Sequence, residues 1–220
     1  MGSTAATLKE FYDALYARFG PQYWWPGDTP FDVMVGAILT QNTNWKNVEK
    51  AIGNIRKAGL LDPVALRSID VGRLAELVRP AGYYNIKAAR LMSLLRMLVD
   101  DFGGDMDALF EGSVAVLRER LLSVHGVGPE TADSIILYAA RKPTFVVDAY
   151  TCRMACRHNL ILEDAAYDEV KALFEENLPL DANLFNEYHA LIVRLGKEFC
   201  RKTPVCAGCP LESHPHELQA

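Results

Sequence analysis

Apolar residues return every three or four positions along almost the entire chain. Leu8, Phe11, Leu15 and Phe19 keep this step, as do Ile52, Ile55 and Ala58, then Leu91, Leu94, Leu95 and Leu98, then Val114, Leu117 and Leu121. Leu184, Tyr188, Leu191 and Leu195 repeat it further on. Such spacing puts one apolar stripe on each of a series of helices, and no alternating stretch of strand length competes with it. Stop and start signals divide the series: Gly20-Pro21, Gly59 to Pro63, Pro80 to Gly82, Gly103-Gly104, Gly112-Ser113, Gly126 to Pro129, Lys142-Pro143 and Pro179 to Asp181. They leave about ten helices. The predicted class is all-α. No internal repeat or long linker interrupts the pattern, so any two lobes must be joined by short turns.

Composition narrows the class without changing it. Of 220 residues 50% are hydrophobic and 23% charged, with 15 Gly and 11 Pro. These proportions exclude disordered, collagen-like and low-complexity chains. No apolar run approaches the ~20 residues that a bilayer span needs. The opening residues, Met1 to Leu15, form an acidic amphipathic pattern without the regions of a secretory signal. A cytoplasmic location and no membrane partner are expected. A formal net charge of -5 argues against holding nucleic acid by bulk electrostatics, while leaving room for a local basic face. Five cysteines are too few for a disulfide framework in a chain of this length. Cys152 and Cys156 sit four apart in a helical segment and read as buried small apolar side chains. Cys200, Cys206 and Cys209 crowd the far end of the sequence.

The most specific pattern runs from Leu121 to Ile136. A helix ends at Gly126-Val127-Gly128, and a second begins with Pro129 in its first turn, where the missing N–H costs nothing. The glycines let the backbone approach a ligand closely, and the N–H groups at the second helix's start suit an anion such as a DNA phosphate. An ordinary turn between helices would read the same way if it stood alone. Downstream, Phe145-Val146-Val147-Asp148 is an apolar run ending in an acid at the head of another helix, a place that aspartate also fills as an N-cap.

Together these segments resemble the helix-hairpin-helix DNA glycosylases of the endonuclease III superfamily, whose signature is this hairpin followed by a "VD" aspartate. Ile38 to Thr43 resembles the family's "LSxQ" helix end and Tyr84-Asn85-Ile86-Lys87-Ala88 its "YNxKA" turn, so the likeness spans nearly the whole chain. It implies a two-lobed fold: a six-helix barrel over 27–140 that ends in the hairpin, a second lobe from 1–26 plus 141–220, and an active cleft between them. It implies double-stranded DNA containing damaged bases as the partner, and action as a monomer.

Bifunctional members carry Gly-Val-Gly-x-Lys in the hairpin, and that lysine attacks the sugar as an amine. Here the position holds Glu130. A carboxylate cannot form an imine, so a monofunctional enzyme is expected, one that uses water and leaves an abasic site without efficient lyase activity. Asp148 matches the family's essential acid, which would stabilise an oxocarbenium-like sugar and orient or deprotonate water. The Trp24-Trp25-Pro26 run, Trp45 and Glu130 resemble the 3-methyladenine glycosylases of the endonuclease III type. That resemblance implies an aromatic base pocket from Trp24, Trp25, Pro26 and Trp45, with Glu130 and Asp148 at its polar end. The chemistry agrees: N-alkylated purines are cationic, and a π-face attracts them by about 1–3 kcal/mol per good contact. Their glycosidic bond is already weakened, so a strong general acid is not needed. Tryptophans buried in a core or seam would be the plain alternative. Two other functions stay open: a mismatch glycosylase for thymine or uracil opposite guanine, and a non-catalytic binder of distorted duplexes.

An enzyme of this type must flip its target nucleotide out of the stack. Gln41 matches the family's inserted glutamine and Tyr83 its wedge position. Phosphate contacts are expected from the hairpin residues Gly126, Val127 and Gly128 and from Lys87, Arg153, Lys197, Arg201 and Lys202. The superfamily often binds a monovalent cation through main-chain carbonyls before the hairpin, here those of Leu122, Val124 and Val127. The Cys200-x5-Cys206-x2-Cys209 run resembles its C-terminal 4Fe-4S loop. The fourth cysteine is missing. His214 or His216 stands near its place, which leaves three readings: a cluster with a histidine ligand, tetrahedral zinc, or a loop that has lost its metal.

Overall fold

The computed structural model describes residues 3–24 and 27–217. They form twelve α-helices, with short 3-10 and π turns between some of them and no strand among the described residues. The fold class is all-α, as the periodicity implies. Backbone contacts divide the chain into two compact units, Met1–Trp24 with Lys142–Ala220, and Trp25–Arg141.

The unit Trp25–Arg141 is built around α2 (Pro30–Leu39). Thr29 caps it by accepting the Asp32 N–H at 3.1 Å, and Pro30 occupies its first turn. Val35, Ile38 and Leu39 are fully buried on it, and each such side chain contributes roughly 1.5–3 kcal/mol over leaving it in water. Around it pack α3 (Trp45–Lys57), α6 (Tyr84–Arg96), α9 (Pro129–Ser134) and the π turn Ile135–Ala139. Shorter helices complete the unit: α4 (Pro63–Ser68), α5 (Val71–Val78), α7 (Met106–Phe110) and α8 (Val114–Leu122). Arg118 on α8 meets the fully buried Asp133 of α9 at 3.0 Å, fixing the two arms of the hairpin. Removing Arg118 would take a cationic partner from the buried Asp133 carboxylate, which is the costly way to break such a pair.

The other unit packs α1 (Thr4–Phe19) and α10 (Ala149–Arg157) on α12 (Ala182–Glu198), with α11 (Tyr167–Glu175) beside them. Its core is aromatic: the rings of Phe145 and Phe174 stack at 3.9 Å, and Phe185 meets Phe145 edge-on at 5.4 Å. Tyr188, also buried, donates its hydroxyl to the Leu8 carbonyl at 2.9 Å, so this large side chain leaves no polar atom stranded. Cys152 and Cys156 are half-buried thiols rather than fully enclosed core atoms, because α10 turns that flank toward the surface. Three helix breaks lack a Gly or Pro signal, the first at 40–44 between α2 and α3. Asp70 caps α5 directly after α4, accepting the Arg73 N–H at 2.9 Å. After α10, Asn159 takes a left-handed φ of 56°.

Candidate active site

The hairpin joins α8 to α9. Gly126 has φ +88°, and a Cβ there would lie 2.2 Å from Cγ of Arg90, so both the backbone and the neighbouring stem demand glycine. Gly128 is extended and has open space on its Cβ side, which leaves the backbone approachable. Glu130 is exposed in the first turn of α9, where a negative charge is favourable. Of the three carbonyls expected to take a cation, that of Val124 accepts the Val127 N–H at 3.1 Å.

Gln41 follows the end of α2 and is bracketed inside its own unit. Its amide nitrogen donates to the Gly126 carbonyl at 3.1 Å and to Thr131 Oγ1 at 3.0 Å, while its oxygen accepts from Arg90 Nη1 at 2.6 Å. Insertion into DNA therefore requires all three bonds to be exchanged. Tyr83 stands differently: it is 69% exposed and takes φ 45°, ψ 35° just before α6. A tyrosine held in that region costs of order 1–3 kcal/mol, and such strain collects at functional positions.

Lys87 corrects the expected basic rim. It is 2% exposed, and its ammonium donates to the carbonyls of Leu39 at 2.8 Å and Ala81 at 2.7 Å. Burial, with the nearby Arg90 charge, pulls its pKa down to about 8. Lys87 is an internal brace between the α2 end and the turn that carries Tyr83, and no phosphate can reach it. Arg153 is half-buried, donates through Nε to the Cys200 carbonyl at 2.7 Å and lies over the Tyr150 ring. Lys197, Arg201 and Lys202 are exposed.

Asp148 caps α10. Its Oδ1 accepts from the backbone N–H groups of Tyr150 at 2.9 Å and Thr151 at 2.8 Å and from the Thr151 hydroxyl at 3.1 Å. Its Oδ2 faces Nε2 of His189, on α12, at 3.5 Å. Burial pushes the carboxyl pKa up, but the His189 hydrogen bond and charge together with the Thr151 donors outweigh it, and the pKa lies below its ordinary value. The group is a carboxylate at neutral pH. One oxygen holds the helix and the other faces His189.

Trp24 is half-buried with the Lys197 ammonium 5.7 Å from its ring centroid. Trp25 and Pro26 lie outside the described residues. Trp45 opens α3 and is half-buried, with its indole N–H on Glu49 at 3.1 Å. Its ring rests on Gly36, where a Cβ would sit 3.2 Å from Cη2. Neither described indole is lost in a core.

The loop after α12 brings Cys200, Cys206 and Cys209 to one cavity, half-buried and unpaired. His216 shares that cavity, whereas His214 sits edge-on to Phe11 with its Nδ1 4.0 Å from Glu10. Among the described residues, no three His, Cys, Asp or Glu side chains converge on a point where they could hold one metal ion. His189, Arg90 and Arg157 contact the candidate residues Asp148, Gln41 and Cys200, and no sign of them was legible in the sequence. Each acts on a residue distant in the chain, and no local motif marks it.

A family model for the HhH-GPD superfamily of base excision DNA repair proteins matches residues 35–180. The chain belongs to that superfamily, and it is a DNA glycosylase, a hydrolase of N-glycosyl bonds. It is 50% identical over 206 residues to a protein of Methanocaldococcus jannaschii whose assignment as a DNA repair glycosylase is itself provisional, covering 93% of this chain and 94% of that one. Endonuclease III of Thermotoga maritima is 28% identical over 187 residues, covering 84% of this chain and 82% of that protein. Among solved structures, a Helicobacter pylori 3-methyladenine DNA glycosylase bound to 1,N6-ethenoadenine matches with a TM-score of 0.74 and 31% identity, over 89% of this chain and 97% of that one.

Proposed function

We propose that this chain is a monofunctional glycosylase that excises N-alkylated purines such as 3-methyladenine from duplex DNA and leaves an abasic site. Glu130 carries the reading, because no amine stands at the hairpin position from which a Schiff base would form. The likeness to a 3-methyladenine glycosylase and the half-exposed indoles of Trp24 and Trp45 support the choice of base. In this reading Trp24, Trp25, Pro26 and Trp45 stack on the extruded purine, with Glu130 at the pocket's polar end. Asp148 Oδ2 stabilises the positive charge that grows on the sugar and directs the attacking water. A carboxylate with a lowered pKa is poorly suited to protonate a leaving base, and a cationic purine leaves without that help.

Gln41 and Tyr83 fill the gap left in the duplex, and phosphates are met by Gly126, Val127 and Gly128 together with Arg153, Lys197, Arg201 and Lys202. A monovalent cation at the carbonyls of Leu122, Val124 and Val127 would hold the hairpin. The protein acts as a monomer. Cys200, Cys206 and Cys209 hold a 4Fe-4S cluster that clamps the C-terminal loop. The fit is favourable, since each ligand of a cluster binds a different iron, and the donors therefore need not meet at one point as zinc requires.

The test is a panel of duplexes bearing 3-methyladenine, 7-methylguanine, ethenoadenine, uracil or a G:T mismatch, scored before and after alkali. Alkylated purines are expected to be released, with strand breaks appearing only after alkali. Preferential release of uracil or thymine would sink the assignment, and breaks without alkali would sink the argument from Glu130. Asp148→Asn caps α10 as well as aspartate does but lacks the charge. It should keep its fold and DNA affinity while excision falls by about 10²–10⁴.

A further inference from the structure

Beside the three cysteines lies a small cavity of about 30 Å³. Leu195, Phe199 and Leu211 supply apolar walls, and Arg157 lies among them only 4% exposed. A buried guanidinium needs acceptors. Nη1 of Arg157 reaches Cys200 Sγ at 3.3 Å and the Arg201 carbonyl at 2.7 Å, and Nη2 reaches the Lys202 carbonyl at 3.0 Å. Its Nε has no hydrogen-bond partner among the described residues. A buried cation with an orphaned donor, set against thiols, calls for an anionic occupant that carries acceptor atoms.

The two candidate histidines are not equivalent. His214 is engaged with α1, through Phe11 and Glu10. His216 lines the cavity, and its Nδ1 lies 2.7 Å from the His214 carbonyl. That bond makes Nδ1 the protonated nitrogen and leaves the Nε2 lone pair free, the arrangement by which a metal-bound imidazole is normally held. The strand of chain bearing it is pinned as well: His158 Nδ1 lies 2.9 Å from the Pro215 carbonyl, and the Glu217 N–H donates to the Arg157 carbonyl at 2.7 Å.

We infer that His216, through Nε2, is the fourth ligand of the group held by Cys200, Cys206 and Cys209, and that Arg157 is its buried counter-charge. The inference rests on the cluster proposed above. A neutral imidazole in place of a fourth thiolate makes the site less negative by one charge, which suits a single guanidinium. It also raises the reduction potential, as imidazole ligation does elsewhere in iron–sulfur chemistry.

The test is anaerobic reconstitution of the full chain with iron and sulfide, read by iron content, visible charge-transfer absorption and midpoint potential. Wild type should take up about four irons per chain, and His214→Ala should match it. His216→Ala should lose most of its iron, while His216→Cys should retain the iron with a lower midpoint potential. The cysteine variant separates loss of a ligand from loss of the fold. Failure of wild type to bind iron, or binding of zinc instead, would overturn the cluster and the inference with it. Full iron and an unchanged potential in His216→Ala would overturn the inference alone.

Discussion

Tyr83 combines two costs that packing does not repay: a left-handed backbone and an aromatic ring left mostly in water. Glycine would adopt the same φ without strain. We expect Tyr83→Gly to raise stability by about 1 kcal/mol in urea denaturation while weakening binding to a lesion-bearing duplex. A variant that binds such DNA as well as wild type would remove the wedge assignment. Lys87 teaches the opposite lesson. A lysine in a turn resembling a DNA-contacting motif reads naturally as surface charge, since lysine is seldom fully buried. Only the fold reveals two carbonyls, from Leu39 and Ala81, that need its protons. The capping place of Asp148 was legible from its position after an apolar run, but the partner at its second oxygen was not. His189 lies 41 positions further along, on a helix whose apolar spacing gives no hint of a polar contact.

At the level of elements, the apolar stripes marked real cores: Leu8, Phe11 and Leu15 on α1, and Leu91, Leu94 and Leu95 on α6, are all buried. Breaks made by side-chain caps, such as Asp70, escaped notice because an aspartate inside a helical pattern is common and its cap geometry depends on the backbone. Gly196 looked like an ordinary helix residue. In the fold it is where α12 touches α10, and an added Cβ would fall 2.1 Å from Cδ1 of Tyr150. Gly196→Ala should therefore cost about 1–3 kcal/mol through overpacking, read as a lower melting temperature, and excision should fall because α10 carries Asp148. Shortening the obstruction with Tyr150→Ala in the same chain should restore part of the stability. Additive losses in the double variant would show that the two helices do not meet there.

For the molecule as a whole, a net charge of -5 means that long-range attraction to DNA is weak or repulsive, and affinity must come from a small cationic area. Lys197, Arg201 and Lys202 are the area proposed here; Arg201 Nε bonds to the Lys197 carbonyl at 3.0 Å, keeping the two close. Each phosphate contact contributes about 0.9 to the slope of log affinity against log salt. Replacing all three cations by glutamine should flatten that slope by about 3 units, and an unchanged slope would place the DNA contacts elsewhere.

The nine residues of α10 join two sites that lie far apart in the sequence. Asp148 sits at the head, and the foot is grasped by the C-terminal loop through Arg157 and His158. At 1.5 Å per residue the helix is a rod about 13 Å long, stiff enough to behave as a lever. Loosening of the cysteine loop that lets the rod swing by about 5° carries its head sideways by about 1 Å, a misalignment that lowers a reaction rate by about a hundredfold. Under the mechanism proposed for Asp148, damage to a thiol at one end is expected to slow excision at the other, with every residue around that carboxylate intact.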